Sequence, residues 1–384
     1  MHKAAPLILT ALLLALGAAP EAEANDASFG GRGANLHLLK ETRIRMSSEE
    51  IVLELRDDPR VQASAWHVTA TYAFANPTKE AVTLQMGFPE TRCHPDEDCN
   101  GQGGRFRDLQ VTVQGEPVKL EIGQIEEKPA WAPEFGQVHL FEARFKPGQT
   151  LKIVHTYTYD RSSSTEGEDV DYLTTTGALW GGPIGQARFV VRVPERPWAL
   201  SFPPEYTLTS LTEKPTVGGR ALTEIVFVAR QWTPKRDFQV FFPNFFNAIL
   251  HNKQVAEACP DALEMANALG DLSDAQSRAA LDKSLADKTD AELRICRNLP
   301  YARHGYDFKS ADLQRIFYPK GPRKGYGFPY IPHEAPGSED DLVWMTAPFA
   351  LNPHFSPSLL TDFDQRWVQR IKQEEERRAA PKAP

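Results

Sequence analysis

Between Glu41 and about Phe242 the chain alternates apolar and polar residues with a period of two. Ile51, Leu53 and Leu55 form one such run, and Val68, Ala70, Tyr72 and Phe74 a second. Val82, Leu84, Met86 and Phe88 follow after the turn residues Asn76-Pro77. Leu109, Val111 and Val113, then Val118, Leu120 and Ile122, flank a turn at Gln114-Gly115. Further runs cover 138–145, 151–159, 189–193, 206–211, 225–228 and 238–242. Such alternation, broken by turn residues, predicts antiparallel sheets with one buried face. About a dozen runs without an intervening helix predict a β-sandwich or barrel. That is more than one seven-stranded sandwich uses, so there is room for two β subdomains, with a sub-boundary at 162–171 in the polar stretch that starts at Ser162.

At Pro243-Asn244 the period becomes helical. Ala248 to Cys259 reads as a helix, and Ala262, Leu263, Met265, Ala266 and Leu269 form a stripe that ends at Gly270. Ser273 is placed to cap a helix carrying Ala279, Leu281 and Leu285. Thr289-Asp290-Ala291-Glu292 is a capping box, and the helix it opens turns Leu293, Cys296 and Leu299 inward. Pro300 lacks an N–H and disfavours helix at Leu299, so a kink or restart is expected there. Gly305 suits a left-handed C-terminal cap, and Ser310 is placed to cap the next helix, with Leu313, Ile316 and Phe317 apolar. Residues 331–355 read as an extended connector. Ser356-Pro357 opens a last amphipathic helix with Leu360, Phe363, Trp367 and Ile371 on one face, followed by a frayed tail. The expected organisation is a leader at 1–24, a β region at 25–243, a helical module at 244–330, the connector, and a terminal helix with its tail at 356–384.

The leader sets the expected location. Met1-His2-Lys3 is positive, Ala4 to Ala19 is apolar, and Ala22-Glu23-Ala24 fits the small-x-small cleavage pattern, which would leave Asn25 first. The apolar run is shorter than the ~20 residues that span a bilayer. No cysteine follows it for lipidation, and no later stretch reads as a transmembrane segment of the mature chain. A periplasmic or extracellular protein is therefore expected. Its four cysteines, Cys93, Cys99, Cys259 and Cys296, are an even set that suits disulfides. Three pairings are open, of which the local one joins Cys93 to Cys99 and Cys259 to Cys296. Their spacing does not suit zinc. With 384 residues the chain exceeds one usual core. A formal net charge of −8 argues against a nucleic-acid partner, which calls for a basic stripe.

Tyr301-Ala302-Arg303-His304-Gly305 spells a five-residue signature. Leu293-Arg294 and Arg297-Asn298 precede it, and Tyr306-Asp307-Phe308-Lys309-Ser310 with Leu313 follow. From Thr289 to about Tyr330 this stretch resembles the YARHG domains, small modules of exported bacterial proteins. The resemblance implies a location outside the cytoplasm and names no reaction. Two departures stand out. Pro300 sits directly before the signature, and a basic, aromatic stretch from Pro319 to Tyr330 replaces the family's downstream Trp. The β region resembles a second exported bacterial family, one of unknown function. The carriers are Asn25-Asp26-Ala27-Ser28, Ile44 to Ile51, Phe88-Pro89, Thr176 to Ile184 and Thr233 to Asp237. That resemblance supports an all-β fold and supplies no catalytic residue. The expected fold class is thus an antiparallel β-sandwich region followed by a small all-α YARHG-type domain.

Several places could carry chemistry, each with a plainer structural reading. The acidic loop between Cys93 and Cys99 could hold calcium, but its acids are consecutive and point apart, so a stapled hairpin tip is the plainer reading. Trp180 with Gly181, Gly182 and Gly185 could line a ligand groove, or plug one end of the core beside a tight turn. His67, His139 and His155 could converge on a metal. A hairpin at Lys146-Pro147-Gly148-Gln149 would instead set His139 and His155 on opposite faces as exposed strand residues. Tyr301, Arg303 and His304 could bind an anionic group, or serve as packing and capping residues with Arg303 paired to Asp307. Lys324 and Tyr326 could hold an anionic polymer or stack on sugar rings. No Walker loop, nucleophile elbow or spaced metal set is present, so no cofactor, metal or catalytic residue is assigned. The leading expectation is a non-catalytic protein that binds a cell-envelope component or another exported protein. The competing one is an envelope hydrolase with its site where the β and helical parts meet. A deep polar pocket between Trp180 and His304, holding a perturbed acid–base pair, would count against the binding reading and favour the hydrolase.

Overall fold

The computed structural model describes residues 26–380 apart from 31–36, 61–62, 92–105, 124–134, 164–166, 216–220, 245–247, 250–252, 260–268, 270–274, 319–322, 327–342, 348 and 350. The expected leader, the Cys93–Cys99 loop, most of the 262–269 stripe and Ser273 lie outside the described residues.

The alternating runs are strands. In chain order they are β1 (Ala27–Gly30), β2 (His37–Leu39), β3 (Arg45–Asp58), β4 (Ala63–Ala75), β5 (Val82–Thr91), β6 (Arg107–Val113), β7 (Glu116–Pro117), β8 (Glu121–Gly123), β9 (Phe135–Phe145) and β10 (Thr150–Asp160). There follow β11 (Ser162–Ser163), β12 (Gly167–Tyr172), β13 (Ile184–Val193), β14 (Leu200–Phe202), β15 (Thr207–Pro215), β16 (Ala221–Trp232), β17 (Phe238–Pro243), β18 (Arg323–Tyr326) and β19 (Val343–Ala347). A long eight-stranded sheet runs β15-β16-β13-β3-β4-β10-β6-β7. Its pairs are antiparallel except β13 with β3, which are parallel.

Two smaller sheets cover this long one. A five-stranded sheet, β2-β1-β5-β9-β8, packs over β4 and β10, where Phe88 meets Tyr157 with ring centres 5.5 Å apart. A six-stranded sheet, β11-β12-β17-β14-β19-β18, packs over β13 and β16. There Phe189 stacks on Phe238 at 4.2 Å and Phe202 meets Phe227 at 5.0 Å. Buried side chains of all three sheets form one continuous apolar cluster. Each large side chain taken fully out of water there stabilises the fold by roughly 1.5–3 kcal/mol.

Two local expectations give way to this topology. The Lys146–Gln149 turn is not a hairpin, because β9 pairs with β5 and β10 with β4, so the chain crosses between sheets. Asn76 fixes that corner: its side-chain amide donates to the carbonyls of Phe145 (3.3 Å) and Lys146 (3.1 Å), and its N–H to that of Gln149 (2.9 Å). The stretch read as a connector also returns to the β region. β19 pairs with β14 and β18 pairs with β19, completing one end of the six-stranded sheet.

The helical elements are α1 (Lys253–Ala258), α2 (Ala275–Asp287), α3 (Asp290–Arg303), α4 (Ala311–Phe317) and α5 (Asp362–Ala379). α3 opens on the expected Thr289–Glu292 capping box. It closes in a Schellman motif: Tyr306 N–H donates to the Tyr301 carbonyl (2.9 Å) and Gly305 N–H to that of Ala302 (3.0 Å), with Gly305 at φ 77°. Ser310 occupies the expected cap position of α4, but its hydroxyl binds Asp312 and Arg294 instead of the helix backbone. Ser356-Pro357 opens a short 3-10 turn, and Thr361 with Asp364 makes the capping box that starts α5.

α3 runs through Pro300 without the expected restart. A proline leaves the carbonyl one turn earlier without its helical donor. Here that carbonyl belongs to Cys296, and the indole N–H of Trp367 on α5 donates to it at 2.8 Å. The same Cys296 is bonded to Cys259, so α1, α3 and α5 meet at one point. Farther along α5, the Arg378 guanidinium donates to the carbonyls of Leu285 and Ala286 at the end of α2 (2.8 and 3.0 Å). Among the described residues no helix is long and apolar enough to cross a membrane.

Candidate functional site

Four pieces of chain converge where the β region meets the end of α3. β15 ends near Glu213, and the link from β13 to β14 carries Glu195, Arg196 and Trp198. The Schellman turn fixes Arg303 and His304 against them. The first turn of α5 brings Asp364 from the other side.

His304 is the centre of this seam. Its Nδ1 lies 2.8 Å from Glu213 Oε2 and its Nε2 lies 3.0 Å from Asp364 Oδ2. All three side chains are almost fully buried, at 1%, 0% and 0% exposed respectively. Burial alone would favour a neutral ring, but the hydrogen bonds to Asp364 and Glu213 outweigh it and raise the His304 pKa above 6.5. Burial likewise works against the Asp364 carboxylate, yet His304 and Arg303 hold its pKa below 3.8. Asp364 also accepts from Thr361 N–H (2.9 Å) and Oγ1 (2.6 Å), so the cap of α5 and the clamp on His304 share one carboxylate.

Arg303 lies along the same seam. Its Nε donates to the Arg196 carbonyl at 2.9 Å, and its guanidinium sits 4.4 Å from the centre of the Trp198 ring. Its terminal nitrogens approach Glu195 (3.4 Å) and Asp364 (3.7 Å). The expected partner Asp307 instead accepts from Gln314 (3.0 Å), because the tight turn at Gly305 sends the chain away from Arg303. Arg196 is itself buried, and burial pushes its pKa down to about 10. Asn352 ties the turn to the strand, donating from its side chain to the Glu213 carbonyl (3.0 Å) and from its backbone to that of Gly305 (2.9 Å).

Of these groups Glu195, Arg196, Trp198, Glu213, Arg303 and His304 form one wall of a cleft of about 860 Å³. Arg161, Glu168, Phe242 and Ser64 line it from the β region, and Arg303, His304 and Thr361 from the helical side. The perturbed acid–base group sought at the junction is therefore present. Its chemistry is nevertheless closed, because each ring nitrogen of His304 already faces a carboxylate and neither offers a lone pair to a substrate. The Thr361 hydroxyl is bound to Asp364 and that of Ser64 to Asp57 (3.1 Å).

The other sequence candidates lie elsewhere or play other parts. Tyr301 packs its ring on Tyr306 at 6.0 Å, the side-chain contact that accompanies a Schellman turn. Trp180 is buried in the β core against Phe74, donates to the Asp26 carbonyl (2.7 Å) and does not line the cleft. Gly185 beside it serves packing, since a Cβ there would lie 2.4 Å from the Ser47 carbonyl oxygen. Lys324 and Tyr326 lie on β18, and Cys93 and Cys99 fall outside the described residues. The strand histidines are not the exposed set expected. His155 is fully buried and bound to Asp26 (3.0 Å), His139 binds the buried Glu90 (2.8 Å), and burial pushes the His67 pKa down. Among the described residues no three His, Cys, Asp or Glu side chains come together as a metal site. Glu213, Asp364, Arg196 and Trp198 were not singled out from the sequence. Only Asp364 carried a signal, as the fourth residue of the box Thr361-Asp362-Phe363-Asp364.

Comparison with known families matches both parts of the chain. The family described as YARHG domain matches residues 270–325, and that described as domain of unknown function (DUF4424) matches residues 24–125. Among curated proteins none matches. Among solved structures the chain is similar to a Legionella pneumophila protein described as a "putative nutrient binding protein", with 21% identity, a TM-score of 0.44, and 91% of this chain and 100% of that chain covered. It is also similar to an M1 zinc metallopeptidase from Deinococcus radiodurans, with 14% identity and a TM-score of 0.28, over 53% of this chain and 43% of that one. Structural likeness at this level carries no functional argument here. The family matches show that this chain carries a YARHG domain behind a DUF4424 domain, and neither description names an activity.

Proposed function

We propose that this is an exported, non-catalytic binding protein of the cell envelope, and that the cleft at the seam of the β region and the YARHG domain is its binding site. The observation that carries this reading is the cleft itself, whose perturbed histidine is sealed on both ring nitrogens. A general base needs a lone pair within reach of the proton it takes. His304 keeps none, so the wall is built to hold a shape. Trp198 and the Arg161–Glu168 ion pair bring to its lining the residue types common at binding hot spots. The acidic balance of the chain fits an envelope component or another exported protein as the partner better than a nucleic acid. The leader-like start of the sequence supports export.

The test is retention of the purified protein on cell-envelope fractions, with Trp198→Ala and Arg161→Ala variants alongside. Retention of the natural protein and loss of about tenfold or more in each folded variant are expected. Equal retention of all three would remove the cleft from the account. Turnover of an envelope polymer by the natural protein would establish the hydrolase reading in its place.

A further inference from the structure

A neutral imidazole has one N–H, whereas an imidazolium has two. His304 stands between two buried carboxylates, Glu213 on β15 and Asp364 on α5, at hydrogen-bond distance on both ring nitrogens. Only the charged ring can donate to both. Once it loses a proton, one carboxylate must face a nitrogen lone pair at about 3 Å, among side chains almost fully buried. We propose that His304 is a proton-operated latch that holds the YARHG domain against the β region, closed while the ring is charged and released when it is neutral.

The surrounding charges support this assignment. Glu213 faces the ring from β15 and Asp364 from α5. Arg303, from the ring's own helix, opposes the ring's charge but is drawn off by Trp198, the Arg196 carbonyl and Asp364. Arg196, from the link between β13 and β14, lies within electrostatic reach of Glu213 and Arg303. Two carboxylates at contact distance thus outweigh the cations set farther back. The sign follows from the raised pKa of the ring. The latch contributes fully below 6.5, its ordinary value, and its contribution is lost as pH rises through the higher value it has in the folded chain. Asp364, whose pKa is lowered, sets the acid limit: its contribution is present above 3.8 and lost as pH falls through its depressed value. The latch is independent of what the cleft binds, although opening it would also open the wall that His304 and Thr361 form.

The test is amide hydrogen exchange of the full chain from about pH 6 to pH 10, corrected for intrinsic rates. In the natural protein, protection at the end of α3, along β15 and at the start of α5 should fall with rising pH. The fall should be about tenfold for each unit by which the folded ring's pKa is raised. Asp364→Asn should flatten that fall. Asp364 Oδ2 faces the ring and accepts from Thr361 N–H, so an asparagine oxygen in its place still caps α5 but offers the ring a neutral acceptor, and the variant keeps its fold while the latch loses much of its proton dependence. His304→Gln should show no fall at all. Flat protection in the natural protein, or the same alkaline loss in Asp364→Asn, would overturn the latch.

Discussion

Replacing Glu213 by alanine should destabilise the protein by about 3–5 kcal/mol, the largest single effect expected of any side chain at the seam. The carboxylate is 0% exposed and faces the Nδ1 of His304 at 2.8 Å. Its removal leaves a buried imidazolium with one partner and a small void, and water cannot replace the lost charge. Glu213→Gln keeps the shape and one acceptor, so it should cost less. Chemical denaturation followed through the tryptophans is the measurement, since Trp198 and Trp367 both belong to this half of the molecule. A loss below about 0.5 kcal/mol, the range of ordinary surface substitutions, would mean that the pair is not formed in solution. The exposed pair Arg56–Glu54 provides a control, because a solvated ion pair is worth at most about 1 kcal/mol.

Opening the Cys259–Cys296 disulfide should be the other large effect. The bond closes a loop with a sequence separation of 37, for which chain entropy alone gives about 4 kcal/mol. The loss should concentrate in the helical part, because Cys259 follows α1 and Cys296 lies in the middle of α3. Cys296 also offers the carbonyl that Pro300 leaves open to Trp367, so a loosened α3 would release α5 as well. Thermal unfolding of the double alanine variant should show an early transition of the helical part while the β region melts as before. A single unchanged transition would show that packing, and not the bond, holds α1 in place.

The strands were legible in the sequence because alternation is local: β3 buries Ile51, Leu53 and Leu55 on one face, as their spacing implies. Their partners were not. β3 pairs in parallel with β13, more than a hundred residues later, and β19 returns from beyond the YARHG domain to meet β14. Nothing in a strand's own pattern names such a neighbour. The same division runs through the signature. Gly305 and the capping box at Thr289 could be read, since caps are made by residues a few positions apart. The partners of Arg303 and His304 could not, because Arg196, Trp198, Glu213 and Asp364 come from other elements. Pro300 misled for the same reason: what allows the helix to pass through it is an indole on another helix.

The central claim is that the signature histidine is a charged, doubly bonded clamp and not a reactive base. Nitrogen-detected magnetic resonance of His304 across a pH titration tests it most directly. The account predicts a titration midpoint above 6.5, with both ring nitrogens carrying a hydrogen-bonded proton at about pH 6. A midpoint at or below 6.5, with one nitrogen unprotonated at about pH 6, would contradict it and return His304 to the list of groups able to act on a substrate.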